Sequence, residues 1–283
     1  MIGVLIVLGA FTAFAATLAL WTERQLLNTT RWSESSSRLL DDPSIRSVIS
    51  HEVMVRLREQ IEPLSGDPRV ASAVAGLSES GIDAFLRGAQ AHALWRQTNR
   101  QAHAQLVSEL ESDSPQPGVV LDLAPLLTSA ARSLGLGALL SAGQFQGSQI
   151  VLARPGELAS ARRAVGALRR SGAWLAAAAA MFYLLALALA RGRRAAVLAA
   201  CGLSLIAVGG GLVLMRLIGG DAVVNTYVQN ASYRSAVHSA WWIETSPLAG
   251  MALALALAGA GLLVVGVSAA GFARARRSGR AAS

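Results

Sequence analysis

The sequence has no lysine, a single cysteine and few aromatic residues, which make up 5% of its 283 positions. The lone Cys201 excludes a disulfide within the chain and any metal site built on several cysteines. Charged residues are scarce as well, because they make up 15% of the chain, against roughly 25% in soluble globular domains. This shortage indicates a protein that exposes much of its surface to lipid.

Motifs that carry enzyme or metal chemistry are also missing. The sequence contains no HExxH pair, EF-hand loop, P-loop or GxSxG turn. His92 and His103 stand eleven residues apart, too far to share one ion on a straight helix, and His51 and His238 are isolated. We therefore expect no metal, no cofactor and no catalytic residues, although a Ser–His–Asp triad assembled from distant positions stays open.

The basic excess of the chain is concentrated in two short segments. The formal net charge is +8, and all 25 basic residues are arginine. Residues 21–171 hold 16 arginines against 15 acidic residues, whereas residues 191–194 and 273–283 hold three and four arginines and no acid. Because nucleic-acid binding needs a basic patch on the binding domain, we expect no nucleic-acid partner. Arginines beside apolar runs are typical of the cytoplasmic side of a membrane protein.

Four apolar runs are each close to the roughly 20 residues that a helix needs to cross a bilayer. The runs contain no acidic or basic side chain except Arg216, which lies at the end of the third run. Because the hydrocarbon core offers no water to the backbone polar groups, each run must form a helix. We predict transmembrane helices at 1–20, 172–190, 195–217 and 248–272. The connecting segments are an extracytoplasmic helical domain at 21–171, a cytoplasmic loop at 191–194, an outer loop at 218–247 and a basic cytoplasmic tail at 273–283.

The first run is predicted to be an uncleaved signal anchor. Its 19 apolar residues exceed the core of a signal peptide, which is about 7–15 residues long, and no basic residue precedes it. The alternative is a signal peptide cleaved after the small residues AFA at 13–15.

The distribution of arginine also predicts the orientation. The two arginine-rich segments, 191–194 and 273–283, lie on one side of the membrane in a four-span topology, and the positive-inside rule makes that side cytoplasmic. Four arginines just before the second span oppose this orientation, but large domains are translocated largely regardless of their charge. We therefore predict a multi-pass plasma-membrane protein with both termini in the cytoplasm and residues 21–171 outside.

The fold class expected is mostly α: four transmembrane helices plus a mainly helical extracytoplasmic domain with at most two short strands. Residues 43–62 carry apolar side chains at helical spacing behind Pro43, which suits a first helical turn. The β-branched segments GVVLDL (118–123) and SQIVLAR (148–154) are the two candidate strands.

The stretch ALWRQTNRQAHAQL (93–106) is the candidate site. If 82–110 form one straight helix, Arg96 and His103 fall within the apolar stripe of Phe85, Ala89, Val107 and Leu110, and Asn99 borders it. A buried cation needs a partner, and the acids considered are Asp41, Asp42 and Asp122. Three interpretations follow: a structural polar network, a bend that turns these residues to solvent, or a ligand pocket. The candidate binding residues are Arg96, Asn99, His103 and Asp122.

Four blocks of sequence carry a resemblance: RQLLNTTRW (24–32), LLDDPSIR (39–46), LWRQTNRQAH (94–103) and VVLDLAPLL (119–127). Their order is similar to that of an uncharacterised family of multi-pass membrane proteins frequent in actinobacteria. Thr30 departs from the acidic residue of that family's first block. The resemblance implies one N-terminal span, an outer domain and three further spans, and it implies no activity.

The sequence thus favours a non-enzymatic cell-envelope protein that binds or scaffolds through its outer domain. Its expected partners are the lipid bilayer and an envelope protein or ligand at that domain. The alternatives are a transporter or exporter component and a membrane-bound hydrolase.

Overall fold

A computed structural model describes residues 1–61, 78–112, 118–137, 145–154, 158–228 and 230–281. Helices dominate, and the described residues include two short strands, so the expected fold class is confirmed. In chain order the described elements are α1 (Ile2–Trp21), a π-helical turn (Thr22–Leu26), α2 (Thr29–Ser37), a 3-10 turn (Arg38–Asp41), α3 (Pro43–Ile61), α4 (Glu79–Leu86), α5 (Ala89–Glu111), β1 (Val119–Asp122), α6 (Ala124–Ser133), β2 (Gln149–Ala153), α7 (Ala159–Leu189), α8 (Arg194–Tyr227), α9 (Ala231–Glu244) and α10 (Ser246–Ala281).

The chain divides into two compact units. The first, here the membrane unit, comprises Met1–Arg24, Gly166–Gly220 and Thr245–Ser283. The second, here the polar unit, comprises Gln25–Val165 and Asp221–Glu244, and it holds every acidic residue except Glu23.

Four helices are long and apolar enough to cross a membrane, which fits a multi-pass membrane protein. The apolar segments run over Ile2–Leu26, Ala159–Leu189, Arg194–Thr226 and Ser246–Phe272. Helix α7 begins well before the predicted second span, and α8 continues past the predicted third span. A helix need not end where its apolar run ends, since its backbone hydrogen bonds continue as long as no residue breaks them. The predicted outer loop at 218–247 is therefore mostly helical, with α9 following the end of α8.

Small residues bring α8 and α10 of the membrane unit together. A Cβ added at Gly209 would lie 2.6 Å from the backbone oxygen of Ala252, and one at Gly266 would lie 2.7 Å from that of Ala195. The backbones of Gly202 and Gly259 also contact each other. This is the close approach that glycine and alanine permit between membrane helices.

The core of the polar unit is apolar and is built from several helices and a strand. Helices α3 to α6 contribute most of it, and β1 adds Leu121. Fully buried members include Leu40, Leu57, Ile61, Ile82, Leu86, Leu126, Leu127 and Phe145. Helix α9 packs against α3 and α2, where the hydroxyl of Ser44 lies 3.3 Å from that of Ser239. The polar unit is therefore assembled from two segments separated by two candidate spans.

The two strands pair antiparallel across the intervening α6. Leu121 pairs with Ile150 and Asp122 with Gln149, and the register shifts between Val119 and Val120. Both strands fall inside the segments that their β-branched residues predict. One edge of β1 is occupied by β2, and on the other edge the Val120 amide donates to the side chain of Gln105, 3.1 Å away.

Candidate functional site

The four candidate binding residues do not form one cluster. Asn99 and His103 line the same cavity of the polar unit, whereas Arg96 is exposed and Asp122 is half-buried elsewhere. The carboxylate of Asp122 accepts from the Ala124 amide, 3.0 Å away, at the start of α6. Its contact is therefore local, and no bond joins it to Arg96.

Arg96 is exposed because residues 82–110 are not one straight helix, so of the three interpretations the bend that turns side chains to solvent applies to Arg96. Helix α4 ends at Leu86, and Gly88 is extended (φ −76°, ψ 147°) before α5 begins. Because of this break, the side chains of α5 do not continue the apolar stripe that a single straight helix would share with Phe85. The buried face of α5 instead carries Ala91, Trp95, Thr98, Ala102 and His103, followed by Glu109 and Leu110.

His103 is buried, and both of its ring nitrogens form hydrogen bonds. Nε2 lies 2.9 Å from the carbonyl oxygen of Leu26, which can only accept, so Nε2 carries the ring proton. Nδ1 lies 3.1 Å from Oγ1 of Thr29 and accepts from that hydroxyl in the neutral ring. The imidazole also stacks on Trp32, with ring centroids 5.0 Å apart. His103 thus fastens α5 to the π-helical turn and to α2.

The environment of His103 favours its neutral form. Burial lowers the pKa of His103, and the hydrogen bond to the Leu26 carbonyl offsets only part of that change. Because both nitrogens are already engaged, the ring is not placed to exchange a proton with a bound molecule.

A cavity of about 190 Å³ lies beside His103. Its lining is mostly apolar: Trp32, Asn99, Ala102, His103, Leu106, Val119, Leu152, Ala153 and Leu158. Asn99 donates through Nδ2 to the carbonyl of Trp95, 2.9 Å away, and its Oδ1 accepts no hydrogen bond from the described residues. The cavity is therefore mostly apolar, and its lining includes an amide side chain whose oxygen accepts no hydrogen bond from the described residues.

The rim of this cavity is apolar and open to solvent. Leu152, which lines the cavity, is 55% exposed, and its neighbour Val151 is 60% exposed. Both lie on β2, whose outer edge has no partner strand among the described residues. An exposed apolar edge strand is a surface to which another chain can add.

Two ion pairs, each with one buried and one partly exposed member, make the kind of polar contact that the sequence suggests for Arg96. Arg46 on α3 is 8% exposed; its Nε donates to Asp83 at 3.0 Å, and its Nη1 donates to the Leu40 and Asp41 carbonyls. Glu109 on α5 is 1% exposed and accepts from Arg162 at 3.0 Å.

The periodicity of α3 could have identified Arg46. Positions 46, 50, 53 and 57 fall on one face at spacings of four, three and four, and all are buried. Asp42, considered as a partner of Arg96, instead accepts from the backbone amides of Ser44 and Ile45 at the start of α3.

The carboxyl group of Glu244, at the end of α9, is a further polar feature of the polar unit. Its Oε2 lies 2.8 Å from Oγ of Ser35 and 3.4 Å from Nε2 of Gln25. Its Oε1 is buried and has no hydrogen-bond partner among the described residues. Burial raises the pKa of Glu244, and the hydrogen bonds from Ser35 and Gln25 and the charge of Arg38 offset only part of that rise.

In the described part of the chain, no three His, Cys, Asp or Glu side chains lie close enough together to hold a metal ion. Comparisons with family models, with curated proteins and with solved structures each give no match.

Proposed function

We propose that this chain is an integral plasma-membrane protein of the cell envelope whose polar unit lies outside the membrane and binds a partner without catalysis. Four apolar helices support the membrane assignment. The cavity beside His103, with its apolar exposed rim, is the observation that carries the binding role.

The proposal that the polar unit lies outside the membrane rests on the distribution of charge and on the assembly of that unit. Gln25–Val165 and Asp221–Glu244 fold together, so both segments lie on the same side of the membrane. The three arginines of 191–194 and the four of 273–283 then belong to the other side, which the positive-inside rule assigns to the cytoplasm.

The cavity suits one side chain of a partner protein. Its volume of about 190 Å³ is below the roughly 300–1,000 Å³ of pockets that enclose a whole small molecule. An apolar side chain inserted into a pocket is the usual anchor of a protein interface. The free Oδ1 of Asn99 adds an acceptor for a donor at the tip or backbone of that residue.

We also propose membership of the actinobacterial multi-pass family that the sequence blocks resemble. The positions of the blocks in the fold support this proposal. RQLLNTTRW supplies Leu26, Thr29 and Trp32, which contact His103, while LWRQTNRQAH supplies Asn99 and His103. VVLDLAPLL begins at Val119, another lining residue. Three of the four blocks thus meet at one cavity.

The test is site-specific photocrosslinking of the full-length protein in intact cells. A photoreactive residue at Leu152 is expected to give a crosslinked product of one defined mass. That product should disappear with Leu106→Trp, which fills the cavity, and should weaken with Asn99→Leu, which removes the acceptor at similar volume. A probe at Gln97, exposed on α5 and outside the cavity lining, is the matched control and should give no such product.

A product at Leu152 that persists at full yield with Leu106→Trp would contradict the cavity as a binding site, provided that the melting profile of that variant matches the parent. Equal products from the Leu152 and Gln97 probes would contradict it as well.

A further inference from the structure

Glu244 occupies a distinctive position in the polar unit. It is the last residue of the segment Asp221–Glu244, and Gln25 is the first residue of the segment Gln25–Val165. The contacts among Glu244, Gln25 and Ser35, here called the carboxyl latch, therefore join the point where the chain arrives from α1 to the point where it leaves for α10.

The hydrogen bonds that Ser35 can donate indicate the protonation state of Glu244. The Ser35 hydroxyl has one hydrogen but two neighbouring acceptors, the Trp32 carbonyl at 3.1 Å and Glu244 Oε2 at 2.8 Å. If Glu244 is ionised, Ser35 must donate to it, and Oε1 remains a buried anionic oxygen with no donor. A buried carboxylate is disfavoured in its ionised form when one of its two oxygens has no donor, even though Ser35 and Gln25 can donate to the other.

A protonated Glu244 uses the same contacts without this conflict. Oε2–H donates to Ser35 Oγ, and the Ser35 hydroxyl then donates to the Trp32 carbonyl. The Gln25 amide, 3.3 Å from Ser35 Oγ, supplies a second donor to that oxygen. The one atom left without a partner is the neutral carbonyl oxygen of the acid, which costs far less to bury than an anion.

The charged groups around the latch do not reverse this preference. Arg38, from the 3-10 turn, favours the ionised form, yet burial outweighs it and the pKa of Glu244 stays raised. On the elements packed against α9, Asp42 is engaged by Ser44 and the start of α3. On α9 itself, His238 faces Trp242 and Asp221.

We propose that Glu244 is a proton-binding site: as a carboxylic acid it fastens the last turn of α9 to α2 and to the π-helical turn, and loss of its proton to solvent releases that contact. The contact between α9 and its neighbours thus depends on the pH on whichever side of the membrane the polar unit lies. This role uses different residues from the cavity, so each proposal stands or fails separately.

Infrared titration of the full-length protein in lipid nanodiscs tests the protonation directly. The wild type should show a carboxylic-acid C=O band that persists above the ordinary glutamate pKa of about 4.3. The band should be lost in Glu244→Gln and kept in Glu59→Gln, an exposed glutamate on α3 that serves as the control. In Ser35→Ala the band should shift in position, because the acid loses its acceptor. This second variant keeps the test decisive if Glu244→Gln does not fold.

Hydrogen exchange of the α9 amides tests the release. After correction for the intrinsic pH dependence of exchange, the last turn of α9 should exchange roughly tenfold faster once Glu244 is ionised, the ratio that corresponds to about 1.4 kcal/mol. The same amides should show no such step in Glu244→Gln. An absent acid band in the wild type, or an equal step in both proteins, would overturn the proposal.

Discussion

The membrane unit and the polar unit bury different kinds of contact. In the membrane unit, α8 and α10 approach through Gly209 and Ala252 and through Gly266 and Ala195, where backbone meets backbone. The polar unit has an apolar core, and its buried charged groups are paired, such as Arg46 with Asp83.

The difference follows from the surroundings of each unit. Lipid tails are as apolar as leucine, so membrane helices gain little from burying apolar side chains and associate through close packing instead. A unit in water gains from burying apolar surface, and each polar group that it buries with that surface needs a partner. The predictions below separate these two sources of stability.

The largest effect is expected for Arg46→Ala in the polar unit. Removing this buried guanidinium leaves the Leu40 and Asp41 carbonyls without their donor and deprives Asp83 of one partner. Loss of one member of a buried ion pair lowers the free energy of unfolding by about 3–5 kcal/mol. Arg96→Ala, at an exposed arginine, is the matched control and should change it by less than about 0.5 kcal/mol. Denaturation of the full-length protein in detergent measures both, and equal effects would contradict the assignment of buried and exposed arginines.

An intermediate effect is expected for Gly209→Ala in the membrane unit. The new methyl group would lie 2.6 Å from the Ala252 backbone oxygen, so α8 and α10 must move apart. Overpacking of this kind destabilises by roughly 1–3 kcal/mol. Gly210→Ala, next along the same helix, meets nothing within 4 Å and should be neutral or slightly stabilising, since alanine favours a helix. A thermal shift of the same size for both variants would show that the two helices do not pack through this face.

The smallest effect is expected from the titration of His103. Its pKa is lowered in the folded protein, so the unfolded chain takes up the proton first as the pH falls. The free energy of unfolding should therefore decrease below the ordinary histidine pKa of about 6.5, down to the folded-state pKa. His103→Gln should remove this part of the pH dependence, while His51→Gln, on the exposed surface, should retain it. Denaturation curves measured across this pH range give the free energy of unfolding at each pH. If its slope against pH is the same in His103→Gln as in the wild type, the buried neutral ring is contradicted.

The sequence predicts the four apolar helices and both strands because each depends on local composition. A charge-free run of about 20 residues indicates a membrane span, and the β-branched residues of VVLD and QIVLA indicate strands. The start of α3 at Pro43 is local in the same way. The association of α9 with α3 could not be predicted, because it joins segments far apart in the chain.

The candidate site was predictable only in part. Asn99 and His103 do line a cavity, whereas Arg96 is exposed because the helix breaks at Gly88. The sequence left this break open as one of three interpretations, since one glycine inside a helical pattern does not indicate whether the helix continues. The acids were misassigned for a related reason. Asp42 and Asp122 accept from backbone amides within three residues of themselves, and such local contacts compete with any distant arginine.

Two segments separated by two candidate membrane spans fold into one unit, and we propose that this unit lies outside the cell. The most direct test of this arrangement is a cysteine pair from Ser44→Cys and Ser239→Cys in a Cys201→Ser background, because the two hydroxyls lie 3.3 Å apart. In intact cells, the account predicts an intramolecular disulfide between the introduced thiols, and both should react with a membrane-impermeant thiol reagent after reduction. Thiols that form no disulfide, or that react only after the cells are lysed, would contradict it.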